Sequence, residues 1–124
     1  MFRRFIMIGS ICAFLAVALG AFGAHVLKPH LSAEMMAVFE TGVHYHMMHA
    51  LGILLIAILV EKFGTSKQLV QAGWALLIGI ILFSGSLYVL AVTGIKVLGA
   101  ITPLGGVSFL YGWLMLFVFA WKRR

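Results

Sequence analysis

Four stretches of this chain, residues 5–27, 43–60, 69–92 and 103–121, contain no Asp, Glu, Lys or Arg. Crossing about 30 Å of hydrocarbon takes roughly 20 apolar residues at about 1.5 Å each. Each stretch therefore has the length and character of a membrane-spanning helix. Composition agrees: 64% of the 124 residues are hydrophobic, 10% are charged and the mean hydropathy is +1.15. A water-soluble domain carries about 25% charged residues, so this chain has too little polar surface to enclose a core in water. The expected fold is an all-α integral membrane protein, a four-transmembrane-helix bundle forming one membrane domain over residues 1–124.

Punctuation falls between the spans. Lys28-Pro29 closes the first, because proline lacks the donor and pushes the preceding residue out of helical geometry. Glu61-Lys62 bounds the second, residues 64–67 (Gly-Thr-Ser-Lys) precede the third, and Thr93-Gly94 ends it. Thr102-Pro103 opens the fourth, as a hydroxyl cap followed by proline at the first helical position. Residues 95–101 are then a short apolar connector, lying at the interface or re-entering the bilayer under the cover of other helices. Ser32 is placed to cap a helix with Glu34 in its first turn. A helix over residues 33–60 is about 42 Å long, more than the hydrocarbon needs. Its first turns, residues 33–42, are expected to form an external amphipathic segment that projects or bends at Gly42.

The formal charge of +6 would suggest a nucleic-acid partner in a soluble protein. Here the basic residues sit at span ends, so no nucleic acid is expected and the partner is the lipid bilayer. Arg3, Arg4, Lys62, Lys67, Lys122, Arg123 and Arg124 fall on one face, and Lys28 and Lys96 on the other. The positive-inside rule then places both termini in the cytoplasm, with Trp74 and Trp121 as anchors near that face. The basic start and small residues of the first run also suit a cleavable secretory signal, but the run exceeds the usual signal core and is read as a span. Cys12, the sole cysteine, has no partner for an intrachain disulfide.

Helices in lipid associate through close packing and interhelical hydrogen bonds, which favours small residues at contacts. Gly9, Ala13, Ala16, Gly20 and Gly23 make one small stripe, Ala72, Ala75 and Gly79 a second, and Gly105, Ser108 and Gly112 a third. They are expected packing seams, within one bundle or between copies in a homo-oligomer.

All five histidines lie between residues 25 and 49, on the external side of this topology. On a helix His46 and His49 share a face, as do Tyr45 and His49, and Glu40 and His44. His49 falls below the headgroups, and an intramembrane ionisable side chain is a functional candidate by default. Three readings compete: interhelical hydrogen bonds from Tyr45, His46 and His49 to Ser84, Ser86 or Tyr88; a proton- or ligand-handling site biased by Glu40; and a soft-metal site with the Met35-Met36 and Met47-Met48 pairs. The set has no cysteine and no Glu-x-x-His pattern. No nucleophile elbow, phosphate loop, zinc-protease helix or dinucleotide fingerprint occurs, so no enzymatic activity is expected and the sequence names no cofactor.

Four ordered blocks carry a family resemblance: Gly20-Ala21-Phe22-Gly23-Ala24-His25; Tyr45-x-x-x-His49-Ala50-Leu51; Phe83-Ser84-Gly85-Ser86-Leu87-Tyr88; and Ile101-Thr102-Pro103-Leu104-Gly105-Gly106 with Gly112-Trp113. The chain resembles the small four-span proteins grouped as domain of unknown function 423, bacterial proteins with eukaryotic relatives. The resemblance implies a multi-pass protein of the plasma (inner) membrane with no assigned molecular activity. His25, Tyr45, His49, Ser84, Ser86, Tyr88, Thr102 and Pro103 match its motifs. His46 departs from the pattern, where glutamine is usual in bacterial members, which weakens a metal site requiring His46.

The preferred reading is a non-enzymatic bundle that binds a small apolar or amphipathic ligand, a lipid or a partner helix. Its site is His25, Tyr45 and His49 near the external leaflet, with Glu40, Ser84, Ser86, Tyr88 and Thr102 around them. The alternative is a small oligomeric transporter or channel. In size the chain is similar to the small multidrug resistance exporters, but it lacks their buried carboxylate in the first span, for which Glu40 would have to substitute. A metal-binding membrane protein is the third reading.

Overall fold

The computed structural model describes residues 1–123; Arg124, counted above with the basic C-terminal cluster, lies outside them. Helix α1 spans Phe2–Phe22 and continues through a π turn, Gly23–Leu27, before the chain reverses at Pro29. Helix α2 spans Ala33–Phe63. Helix α3, Lys67–Gly79, passes through a second π turn, Ile80–Ser84, into α4, Gly85–Thr93, and the two together form the third crossing. A 3₁₀ turn, Lys96–Ala100, leads to α5, Thr102–Lys122. All four crossings are long and apolar enough to span a membrane.

Local chemistry sets the ends of these helices. The Ser32 hydroxyl accepts the Met35 N–H at 3.1 Å, capping α2, and Ser66 does the same for Leu69 at 3.2 Å at the start of α3. Helix α4 ends at Gly94, whose φ of 73° is a left-handed conformation that glycine adopts without steric cost. Thr102 is not the cap expected of it. The 3₁₀ turn runs directly into α5, so Ile101 already has helical angles and Thr102 is the first residue of the helix. Its hydroxyl is thereby free to turn toward α4.

Helix α2 runs unbroken through Gly42, so residues 33–42 continue the second crossing as one helix. Met36 and Phe39 pack there with Ala91 of α4 and with Leu19, Leu27 and Leu31, forming a small cluster at the end of the bundle remote from the N-terminus. The connector between α4 and α5 has no buried residue, and Val97 is 72% exposed. Backbone that enters hydrocarbon must be covered by protein, and this connector is not covered.

Two antiparallel pairs make the bundle: α1 against α2, and α3 against α5, with α2 joining them along α3 and α4. Helix α1 uses its small stripe, with Gly9 facing Leu54 and Gly23 facing Phe39. Gly105 of α5 lies so close to Phe83 that an added Cβ would overlap the Phe83 backbone. Ser108 donates to the Ala75 carbonyl at 2.7 Å, and the Tyr111 hydroxyl to Gln71 Oε1 at 3.0 Å. Phe5, fully buried, touches Gly73 and meets the Trp74 ring edge-on at 5.5 Å, tying the start of α1 to α3.

Candidate functional site

Two polar seams run side by side down one broad face of α2. The first joins it to the third crossing. Ser84 Oγ, fully buried in the π turn, donates to the Gly42 carbonyl at 2.7 Å. One helical turn further along each helix, His46 Nδ1 meets the Tyr88 hydroxyl at 2.8 Å. Gly42 is part of the device, because a Cβ there would stand 2.8 Å from the Tyr88 ring.

The second seam faces α5. His49 is 2% exposed and both its ring nitrogens are engaged: Nδ1 lies 2.8 Å from the Tyr45 carbonyl and Nε2 3.0 Å from Trp113 Nε1. An indole nitrogen only donates, so Nε2 accepts and the proton sits on Nδ1, which donates to the carbonyl. His49 is thus held as one neutral tautomer. Its imidazole stacks on the Phe109 ring at 3.6 Å and 10°. Gly52, one turn along α2, gives the indole room, its missing Cβ position lying 3.2 Å from the Trp113 ring.

A third hydrogen-bonded pair lies toward the end of the bundle remote from the N-terminus. Ser86 Oγ donates to the Phe83 carbonyl at 2.9 Å and lies 2.6 Å from Thr102 Oγ1. Each hydroxyl has one proton, so Thr102 donates to Ser86, linking α4 to α5.

The α2 and α5 backbones do not pack closely. They meet through side chains and leave a groove of about 490 Å³, lined by Tyr45, Met48, His49, Phe83 and Pro103, with Gly106 at its wall. The groove opens sideways. Tyr45, 40% exposed, forms its outer edge, with its ring 4.6 Å from Phe83, and among the described residues its hydroxyl bonds no other group of the chain.

The expected site is therefore divided. Tyr45 and His49 share the groove. Ser84 and Tyr88 belong to the α2–α4 seam, and Ser86 and Thr102 to the α4–α5 clasp. His25 sits exposed on the first π turn and does not line the groove. Glu40 and His44 share a smaller hollow of about 170 Å³ against α1, with Gly20 and Ala24, and no ion pair joins them. His44, His46 and His49 thus have three different surroundings, and among the described residues no three His, Cys, Asp or Glu side chains converge as a metal set. Trp113 and Phe109 were not singled out as site residues. A signal for Trp113 existed: a tryptophan in the middle of a span, away from the interfacial belts, needs a buried acceptor.

Four crossings, buried polar seams and a lateral groove define a small multi-pass helical membrane protein. The family described as "Protein of unknown function (DUF423)" matches residues 19–106, and the chain belongs to it. It is 52% identical over 120 residues to the UPF0382 membrane protein YwdK of Bacillus subtilis (strain 168), covering 97% of this chain and 98% of that protein. It is 48% identical to the UPF0382 membrane protein SH2409 of Staphylococcus haemolyticus (strain JCSC1435), covering 97% of each. No solved structure matches the chain.

Proposed function

We propose that this is a non-catalytic plasma-membrane protein, with both termini cytoplasmic, that binds an amphipathic lipid-like molecule in the groove between α2 and α5. One observation carries the reading: α2 and α5 are held apart by interlocked aromatic side chains, leaving a lateral space of about 490 Å³. Small-molecule sites are typically about 300–1,000 Å³, mostly apolar, with a few placed polar groups. The walls here suit a flat or extended apolar body, and the Tyr45 hydroxyl offers one hydrogen bond near the external boundary. His49 supports this as the fixed floor of the groove, since both its nitrogens are committed within the protein. The transport alternative has less support, because Glu40, the carboxylate it requires, is exposed near the start of α2 and not buried between helices.

Gly106→Leu tests the reading. A Cβ at Gly106 has open space, its nearest neighbour being Phe83 at 4.0 Å, and leucine favours helix over glycine. The variant therefore fills the groove without disturbing the fold. Native mass spectrometry of protein released in mild detergent should show a discrete adduct on wild type that Gly106→Leu lacks. An adduct equally present on both removes the groove as its site. None on either, with a defined oligomer mass, would make the groove an interface for a partner helix.

A further inference from the structure

Below Trp113 the space between α2 and α5 continues as a second, larger groove of about 670 Å³, reaching from Trp113 past Leu59 and Leu116 to Phe63, Phe119 and Arg123. Its floor is apolar and its mouth is cationic. The Arg123 guanidinium lies 4.5 Å above the centre of the Phe63 ring and 5.7 Å from that of Phe119, while Lys62 Nζ lies 5.6 Å from the Phe63 ring centre. Beside this mouth a hollow of about 170 Å³ is lined by Ser66, Gln68, Lys122 and Arg123. Hydroxyl, amide, ammonium and guanidinium groups thus surround one end of a greasy channel, and among the described residues no carboxylate lines either space.

The dimensions match one leaflet. About ten residues of α5 separate Trp113 from Arg123, roughly 15 Å, which is half the hydrocarbon thickness of about 30 Å. We infer that this half of the groove holds an anionic phospholipid of the cytoplasmic leaflet, its phosphate between Arg123 and Lys122 and one acyl chain against Leu59, Leu116 and Phe119. Charge complementarity selects the headgroup, because basic side chains at the cytoplasmic boundary attract anionic lipid and leave zwitterionic lipid nearly indifferent. The cation–π contacts hold the guanidinium over the channel mouth before lipid arrives. The inference rests on the orientation in the function proposed above and uses neither Tyr45 nor the external groove.

Delipidated protein in neutral detergent, titrated with phosphatidylglycerol or phosphatidylcholine of identical chains and read by native mass spectrometry, tests it. Wild type should prefer phosphatidylglycerol about tenfold. Lys122→Gln/Arg123→Gln should abolish the preference, and Ala120→Trp, which fills the channel wall, should weaken binding of both lipids. Arg3→Gln/Arg4→Gln makes the same charge change away from the groove and should keep the preference. Equal binding of the two lipids by wild type overturns the inference, as does a preference that survives in Lys122→Gln/Arg123→Gln or is lost equally in Arg3→Gln/Arg4→Gln. Gly106→Leu should leave the preference intact even where it removes an external-groove ligand, so the two readings fail separately.

Discussion

The Trp113 indole N–H donates to His49 Nε2 at 3.0 Å, across two helices whose backbones do not otherwise pack closely. One hydrogen bond thus sets both the spacing of α2 from α5 and the protonation pattern of the imidazole. In hydrocarbon, an unpaired indole or imidazole nitrogen has no water to turn to.

That bond should be measurable as a coupling energy. Trp113→Phe and His49→Phe should each lower stability in detergent, and together they should cost less than their sum. The expected interaction is about 0.5–2 kcal/mol, the range of interhelical hydrogen bonds in membranes. Nitrogen NMR of wild type should show His49 protonated at Nδ1. Additive single effects together with an Nε2-protonated ring would refute the pairing.

Two glycines with opposite surroundings should respond oppositely to the same change. At Gly105 a methyl group would overlap the Phe83 backbone, so Gly105→Ala should destabilise by about 1–3 kcal/mol, as overpacking does. At Gly85 no atom lies within 4 Å of the added Cβ, so Gly85→Ala should be neutral or stabilise by up to about 1 kcal/mol. Thermal unfolding in one detergent compares them directly, and equal effects would mean that α5 does not pack against the π turn.

The orientation can be read by thiol labelling. In a Cys12→Ala background, Val97→Cys on the exposed connector should react with a membrane-impermeant maleimide added to intact cells. Thr65→Cys, between α2 and α3, should react only after lysis. The reverse pattern would invert the topology and move the basic groove mouth to the external leaflet.

The spans were legible because hydrocarbon thickness and backbone hydrogen bonding leave a chain of this composition few choices. Helix ends were legible where a side chain makes the cap, as at Ser32, and misread at Thr102, where the preceding 3₁₀ turn had already begun the helix. The small stripes of α1, α3 and α5 marked real contact faces, since their meaning is steric and local. Which faces meet was legible only in part: His46 and Tyr88 stood among the candidate interhelical partners and do pair, while nothing pointed His49 to Trp113. In lipid the outward side of a helix is as apolar as the inward side, so no amphipathic stripe aims His46 at Tyr88 or His49 at Trp113. Spacing put both histidines on one broad face, and the structure sends them to different neighbours.

The π turn of the third crossing accommodates one residue more than a regular helix would, its closing bond running from the Gly85 N–H to the Ile80 carbonyl. Loss of any one residue from Ile80–Ser84 would leave a span still long enough for the bilayer and equally apolar. It would also return the turn to regular α-helix, with α4 keeping its phase relative to α3. Tyr88 would still face His46 and Ser86 would still face Thr102, so two chains of different length would assemble the same interior, differing only where Ser84 reaches the Gly42 carbonyl.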